Sequence, residues 1–472
     1  MKKFLISTII LCLATVAVKA QSDVDAFRFS QTNWQGTARF MGAGGAFGAV
    51  GAEYSALSIN PASIGIYKKS EFSFTPVVIS FFNTSSDYNG KTSNYLSTNY
   101  SLTNFGMVLT APIRNESAWK GMQFGFGYNR INDFNNGFRV EGVDNSSIAN
   151  YYVDMANGTY YGNLSDDVGL AFDTWVIDTA NSPYSYYPLS NSNEVNQKKS
   201  VLTSGGIDEM NLTLGGNYDD KLYIGATIGI PFLKYRESVT FQEDNLDENP
   251  QDLTQIKHRS KLDVNGTGIN LKLGLIYQPV DFFRIGAAFH TPTYYSLRED
   301  YISEMETNLS AAFKYENEYK YKLTTPLRVN ANIAFLIKGR AFISADYEFT
   351  NYGMAKMYAS DYGFYDENAN ISKKYGASHV IRIGGEVYLT KHFLCRLGYN
   401  FQSNPYKDNI NNTSSHLAAI GVGYRSSSFF VDFAYNLKLS KEDHWMYSPE
   451  YAYRAENSYN TNRFAVTVGY KF

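Results

Sequence analysis

The sequence predicts an all-β membrane fold: an antiparallel, up-and-down transmembrane β-barrel of about 14 strands, with an N-terminal plug in its lumen. Three observations carry this. From position 71 onward, apolar and polar residues alternate with period two in runs of about ten, the pattern of strands facing lipid on one side and a lumen on the other. The connections between runs are alternately short and long. The composition includes 39 Tyr and 32 Phe in 472 residues, which a barrel with two aromatic girdles can use and a soluble domain rarely needs.

In chain order, Lys2 and Lys3 precede an apolar run at 4–18 and a small-x-small site at Val18-Lys19-Ala20. These are the parts of a secretory signal peptide, residues 1–20, cut before Gln21; the run is too short to be a spanning helix. Its removal leaves one cysteine, Cys395, and hence no intramolecular disulfide. No later stretch approaches the ~18 apolar residues of a membrane helix. The net charge is −3 with both signs interspersed, which provides no face for nucleic acid.

Residues 21–69 form the predicted plug. Its centre, 36–67, reads GTARFMGAGGAFGAVGAEYSALSINPASIGIY and looks too glycine-rich for a helix. Gly42, Gly44, Gly45 and Gly48 lack a Cβ, so this backbone can lie flat against a surrounding wall. Asn60-Pro61-Ala62 then sets an extended bend, because Pro61 has no N–H and disfavours a helical Asn60. A dinucleotide fingerprint would need glycine at Phe47, and no Gly-Lys-Ser/Thr ends the stretch.

Residues 70–472 form the predicted barrel. The fourteen runs are 71–81, 103–113, 121–131, 208–218, 221–233, 264–277, 282–291, 326–337, 340–350, 379–389, 392–402, 415–424, 429–439 and 463–472. In the ninth, Ile343, Ala345, Tyr347 and Phe349 share one face and Ser344, Asp346 and Glu348 the other. Only Asp219-Asp220, Lys338-Gly339 and Thr390-Lys391 separate three of the pairs, whereas 132–207 is a long connection. Short periplasmic turns, long external loops and periplasmic termini follow. The last run alternates through Phe464, Val466, Val468 and Tyr470 to Phe472 and resembles the C-terminal strand that the outer-membrane barrel assembly machinery recognises.

Inside, Lys272, Arg284, Arg328, Arg382, Arg396, Asp346, Glu348, Glu386 and Asp432 are expected to face the lumen. Buried charges of both signs should pair with one another and with plug backbone, although an arginine can instead hold a substrate carboxylate. In 132–207, Ile148, Tyr151, Tyr152 and Met155, and then Val168, Phe172, Trp175 and Val176, fall at helical spacing. Two short helices could make an external hydrophobic groove of Ile148, Tyr152, Met155, Phe172 and Trp175, or simply cap the barrel.

The signal peptide, the 36–51 glycine stretch, Asn60-Pro61-Ala62 and the fourteen runs together resemble the FadL-type transporters, outer-membrane channels for long-chain fatty acids and other hydrophobic compounds. The tripeptide departs from the family's habit in being followed by Ser63, with Gly65 two residues on. The resemblance implies a bacterial outer-membrane location, membrane lipids as surroundings, and an N-terminal hatch that gates passive diffusion of a hydrophobic substrate. It also implies sideways exit through the barrel wall. The six histidines show no metal-ligand spacing, and the acidic stretch 244–252 lacks the spacing of an EF-hand. No catalytic set, metal or cofactor is expected. The other class of function the sequence admits is a surface adhesin or receptor that uses the Tyr/Asn-rich loops and needs no hatch.

Overall fold

The computed structural model describes residues 23–113, 117–164, 166–190, 194–246, 252–337, 339–407, 411–449 and 451–472. The predicted signal peptide lies outside the described residues, as does Lys338 of one predicted turn.

Fourteen antiparallel strands close on themselves. β1 is Glu71–Tyr88, and β2 runs as Lys91–Ser101 and Asn104–Pro112. β3 runs as Trp119–Asp133 and Asn136–Asp144, followed by β4 (Val195–Tyr218), β5 (Leu222–Asn245) and β6 (Gln255–Val280). β7 is Phe283–His290 with Tyr294–Thr307, and β8 is Phe313–Thr324 with Arg328–Ile337. β9 (Ala341–Asn351), β10 (Ala377–Tyr388), β11 (Phe393–Gln402) and β12 (Ser415–Arg425) lead to β13 (Phe429–Trp445) and β14 (Arg454–Lys471). The ladder Glu71↔Lys471 to Asp87↔Glu456 joins β1 to β14 and closes the barrel.

Alternation places the side chains. On β5 the outward face reads Leu222, Ile224, Ala226, Ile228, Ile230 and Phe232, while Tyr223, Thr227 and Leu233 point inward and are buried. Above Phe232 the outward face becomes Lys234 and Arg236, which marks the upper edge of the lipid-facing band. The β4–β5 turn rests on Asp219 and Asp220, both in the left-handed region (φ 56 and 52).

The long connections contain more strand than the alternation indicates. β1 and β2 continue to a turn at Asn89-Gly90, and β14 begins at Arg454, well before the expected 463. The expected loop 132–207 begins and ends as strand: β3 continues to Asp144 and β4 starts at Val195. Beyond the lipid band both strand faces meet water or other loops, so the apolar alternation fades while the hydrogen-bond ladder persists.

The segment 36–67 also holds more helix than its glycines suggest. Thr37 caps α2 (Ala38–Gly42), accepting a bond from Phe40 N, and the glycine-rich part begins only where α2 ends. Ahead of it lies α1 (Asp23–Ser30). Outside the barrel mouth, α3 (Ile148–Ala156) and α4 (Asp166–Asp173) pack with the hairpin Ile177–Thr179/Tyr186–Pro188 onto Tyr88, Phe241, Ile256 and Met305. A second cap, α5 (Tyr365–Lys374), covers α1, where Phe27 stacks on Tyr375 at 4.5 Å between ring centroids.

Candidate functional site

Residues 23–67 occupy the lumen, descending from α1 beneath the external caps to the Asn60-Pro61-Ala62 turn at the periplasmic half of β4–β6. The seal is backbone against backbone. Gly44 adopts φ +63, and a Cβ there would lie 2.9 Å from Tyr399 N. Across the contact, a Cβ on the inward-facing Gly398 would collide with Ala43 and Gly44 themselves. Gly42 lies against Gly421 in the same way, and Gly45 (φ +80) fits between Phe40 and Arg382. Gly48 donates its N–H to Asp346 Oδ2 at 2.9 Å. The glycines singled out in the sequence therefore all meet the wall or its side chains.

Asn60 is extended (φ −139, ψ 104), as the following proline requires, and its Oδ1 accepts from Ala62 N at 3.1 Å. Its Nδ2 donates to Leu275 O at 3.3 Å and to Asn332 Oδ1 at 3.2 Å. Pro61 and Ala62 press against Gly225 and Gly274 of β5 and β6, and Ala62 is fully buried.

The lumen charges pair as expected. Arg396 binds Glu386 and Asp432, both at 2.7 Å, and Arg382 binds Glu348 at 2.9 Å. Lys272 pairs with Glu209, Arg284 donates to Val50 O, and Arg328 donates to Ser30 O. From the plug, Arg39 forms a bidentate pair with Glu386, two bonds of 2.9 Å, which ties α2 to β10. Glu53 differs in having no cation within ion-pair distance among the described residues. It accepts from Thr37 Oγ1 and, at 2.9 Å, from Ala56 N, bridging the start of α2 to the turn at Ser55–Ser58. Burial outweighs those bonds and the more distant Arg39, and pushes its carboxyl up to about 7.

The predicted external groove residues separate. Ile148 and Tyr152 are buried in the cap core, Phe172 packs half-buried against it, and Met155 and Trp175 face outward, 40% and 49% exposed. The helical spacing around 148–156 and 166–173 is real, but its apolar faces close onto the barrel rim. Ser147 and Glu243 fix α3: Glu243 accepts from Ser147 Oγ and, at 3.0 Å, from Ile148 N.

One stretch of wall lacks a ladder among the described residues. Lower β2 and lower β3 pair from Asn104↔Asn129 to Pro112↔Gly121, but upper β2 (Lys91–Ser101) and upper β3 (Asn136–Asp144) do not pair with each other. β2 remains bonded to β1, and β3 to β4. Tyr88 donating to Asp144 at 2.6 Å and Asn89 donating to Val143 O at 2.9 Å bound the break above; within it the Tyr95 ring lies over Gly137. Inside, a cavity of about 270 Å³ lies between α1 and the wall, lined by Phe27, Phe82 and Phe138 among others, and by the β3 residues 132–138 at the break.

No family model and no curated protein sequence matches the chain. Solved structures do. A Pseudomonas aeruginosa FadL homologue superposes with a TM-score of 0.57 over 93% of this chain and 99% of its own, at 12% identity. The P. putida toluene transporter TodX gives 0.51 over 89% and 94%, also at 12% identity. The chain has the FadL-type fold. With its outward apolar band and closed ladder, this FadL-type barrel is a bacterial outer-membrane β-barrel.

Sequence reasoning missed the wall side of the seal. Gly384, Gly398 and Gly421 all sit at inward positions of β10–β12, where they let the plug backbone approach. Glycine at inward positions of three successive strands was a usable signal. The break beside upper β3 left none.

Proposed function

We propose that this FadL-type barrel is a passive uptake channel for hydrophobic compounds, with residues 21–69 acting as a gating hatch. The observation that supports this best is the combination of a filled lumen with an unpaired stretch of wall beside an internal cavity. A solute entering from outside meets no straight aqueous route to the periplasm. A short route leads from the cavity sideways through the β2/β3 break to the rim of the lipid-facing band, from which an apolar molecule partitions into the membrane and an ion does not. The resemblance to a FadL homologue and to a toluene transporter points the same way.

Long-chain fatty acids are the substrates we favour, because two lumen cations have no ion-pair partner among the described residues. Arg463 and Lys438 lie on β14 and β13, two positions apart in register, and line the cavity. Arg463 is only 4% exposed and its Nε has no hydrogen-bond partner. Neither makes an ion pair among the described residues. Asp133 shares the cavity, but it already accepts from Gln35 Nε2 at 3.1 Å and Asn135 Nδ2 at 2.6 Å. An acid head group between these cations would leave its chain against Phe82 and Phe138, next to the break.

Uptake of a labelled C16 acid and of a C16 alcohol by cells expressing the full-length protein tests both levels. Both should enter; Arg463→Gln/Lys438→Gln should lower acid uptake several-fold and spare the alcohol. Equal loss for both would remove the head-group role, and no uptake of either by the wild type would remove the channel.

A further inference from the structure

The outer wall carries a one-sided charge pattern at the level where the lipid band ends. On four adjacent strands, β5 to β8, the continuous outward apolar runs end at Phe232, Ile269 and Tyr294, and on β8 the outward Val329–Ile337 alternation ends below Thr324. The ladders fix what lies above. One rung reads Phe232, Thr267, Ser296, Lys322, and the next Lys234, Asn265, Arg298, Lys320. The third reads Arg236, Asp263, Asp300, Glu318. Because the strands tilt, the first two outward polar positions are Lys234 and Arg236 on β5, Thr267 and Asn265 on β6, Ser296 and Arg298 on β7, and Lys322 and Lys320 on β8.

Those eight positions hold five cations and no anion. The acids begin one step farther from the membrane and take up the upper cations: Arg236 pairs with Asp263 at 2.7 Å, Arg298 with Glu318 at 3.0 Å and Asp300 at 3.1 Å, and Lys320 with Glu318 at 3.5 Å. Lys234 and Lys322, closest to the lipid, are exposed and make no ion pair with any described residue. The pattern is local. On the far side of the barrel, the corresponding positions are Asn83 and Ser85 on β1 and Asn462 and Asn460 on β14.

We infer that this face of β5–β8 binds a phosphate-bearing lipid of the outer leaflet. Its acyl chains lie along the Ile224–Phe232 and Ile269–Tyr277 band, and its phosphates sit between Lys234, Arg298, Lys320 and Lys322. Charge complementarity selects the occupant. A neutral lipid has nothing to gain from five cations, and a soluble anion has no use for the apolar band directly beneath them. Positive charge near an anionic membrane surface adds to apolar contact, and salt weakens it. The acids of the third rung orient Arg236 and Arg298, and hold the lipid phosphates to the level below.

The test uses purified full-length protein in a neutral detergent, titrated with bisphosphorylated lipid A, with its dephosphorylated form and with inorganic phosphate, and read by native mass spectrometry. Bound bisphosphorylated lipid should persist at ratios where the dephosphorylated form dissociates. Lys234→Gln/Arg298→Gln/Lys322→Gln should weaken that binding at least tenfold, whereas Asp263→Asn/Glu318→Gln should not weaken it. If the triple variant gives no heat-modifiable folded band, Lys234→Gln/Lys322→Gln serves instead, with a loss of about threefold. Equal binding of the two lipids, or of the wild type and the folded variant, would overturn the inference. So would displacement of the lipid by millimolar inorganic phosphate, which would make this a site for the free ion.

Discussion

At Gly398 the wall and the plug share a single atomic layer, since its missing side chain is where Ala43 and Gly44 run. Gly398→Val should leave the β11 ladder intact, because the new side chain points inward, and should push the plug off its seat. Overpacking typically costs ~1–3 kcal/mol. The expected outcome is a normal yield of folded barrel with ion conductance absent from the wild type, measured in planar bilayers. Glu53 adds a pH dependence. Its carboxyl holds its proton up to about 7 when seated and only to the ordinary 4.5 when solvated. Seating is therefore strongest below pH 4.5, weakens as pH rises toward 7, and is flat above. Ion leak should rise across that window in the wild type and rise less in Glu53→Gln; identical profiles would remove Glu53 from the account.

At the scale of elements, the β2/β3 break and the closing strand make separate demands. Filling the break should slow exit without harming assembly. Gly137→Trp, beside the Tyr95 ring, is expected to reduce hydrophobic uptake several-fold while the heat-modifiable band is retained. Replacing Tyr470 and Phe472 by charged residues should instead lose that band, because both are lipid-facing at the end of β14, where Phe472 N also closes onto Ser70 O at 3.0 Å. Much of this was legible. The runs at 341–351 and 429–439 announce strands because one face meets lipid and the other water, and Asn60-Pro61 announces its own extended bend. The break was not, since Lys91–Ser101 and Asn136–Asp144 carry ordinary strand sequences and pairing depends on the partner's register. The cap helices were legible in period but not in direction: Ile148 and Tyr152 could face a groove or the barrel rim, and only the placement of Phe241 and Met305 decides.

For the whole molecule, the account joins a closed ladder that needs no plug to a plug held by glycine contacts, Arg39–Glu386 and the Asn60 turn. The lumen cations were visible as inward residues, yet selecting Arg463 and Lys438 required knowing that every other lumen-lining basic side chain named here had found a partner. The central claim is that residues 23–67 close the lumen to ions while apolar molecules still pass. Deleting residues 23–64 and measuring bilayer conductance and uptake of a labelled fatty acid on the same preparation tests it most directly. The predicted result is a folded barrel that conducts ions steadily, where the intact protein is nearly silent, and whose uptake no longer responds to Gly137→Trp. Equal conductance and equal uptake for intact and deleted proteins would contradict the claim.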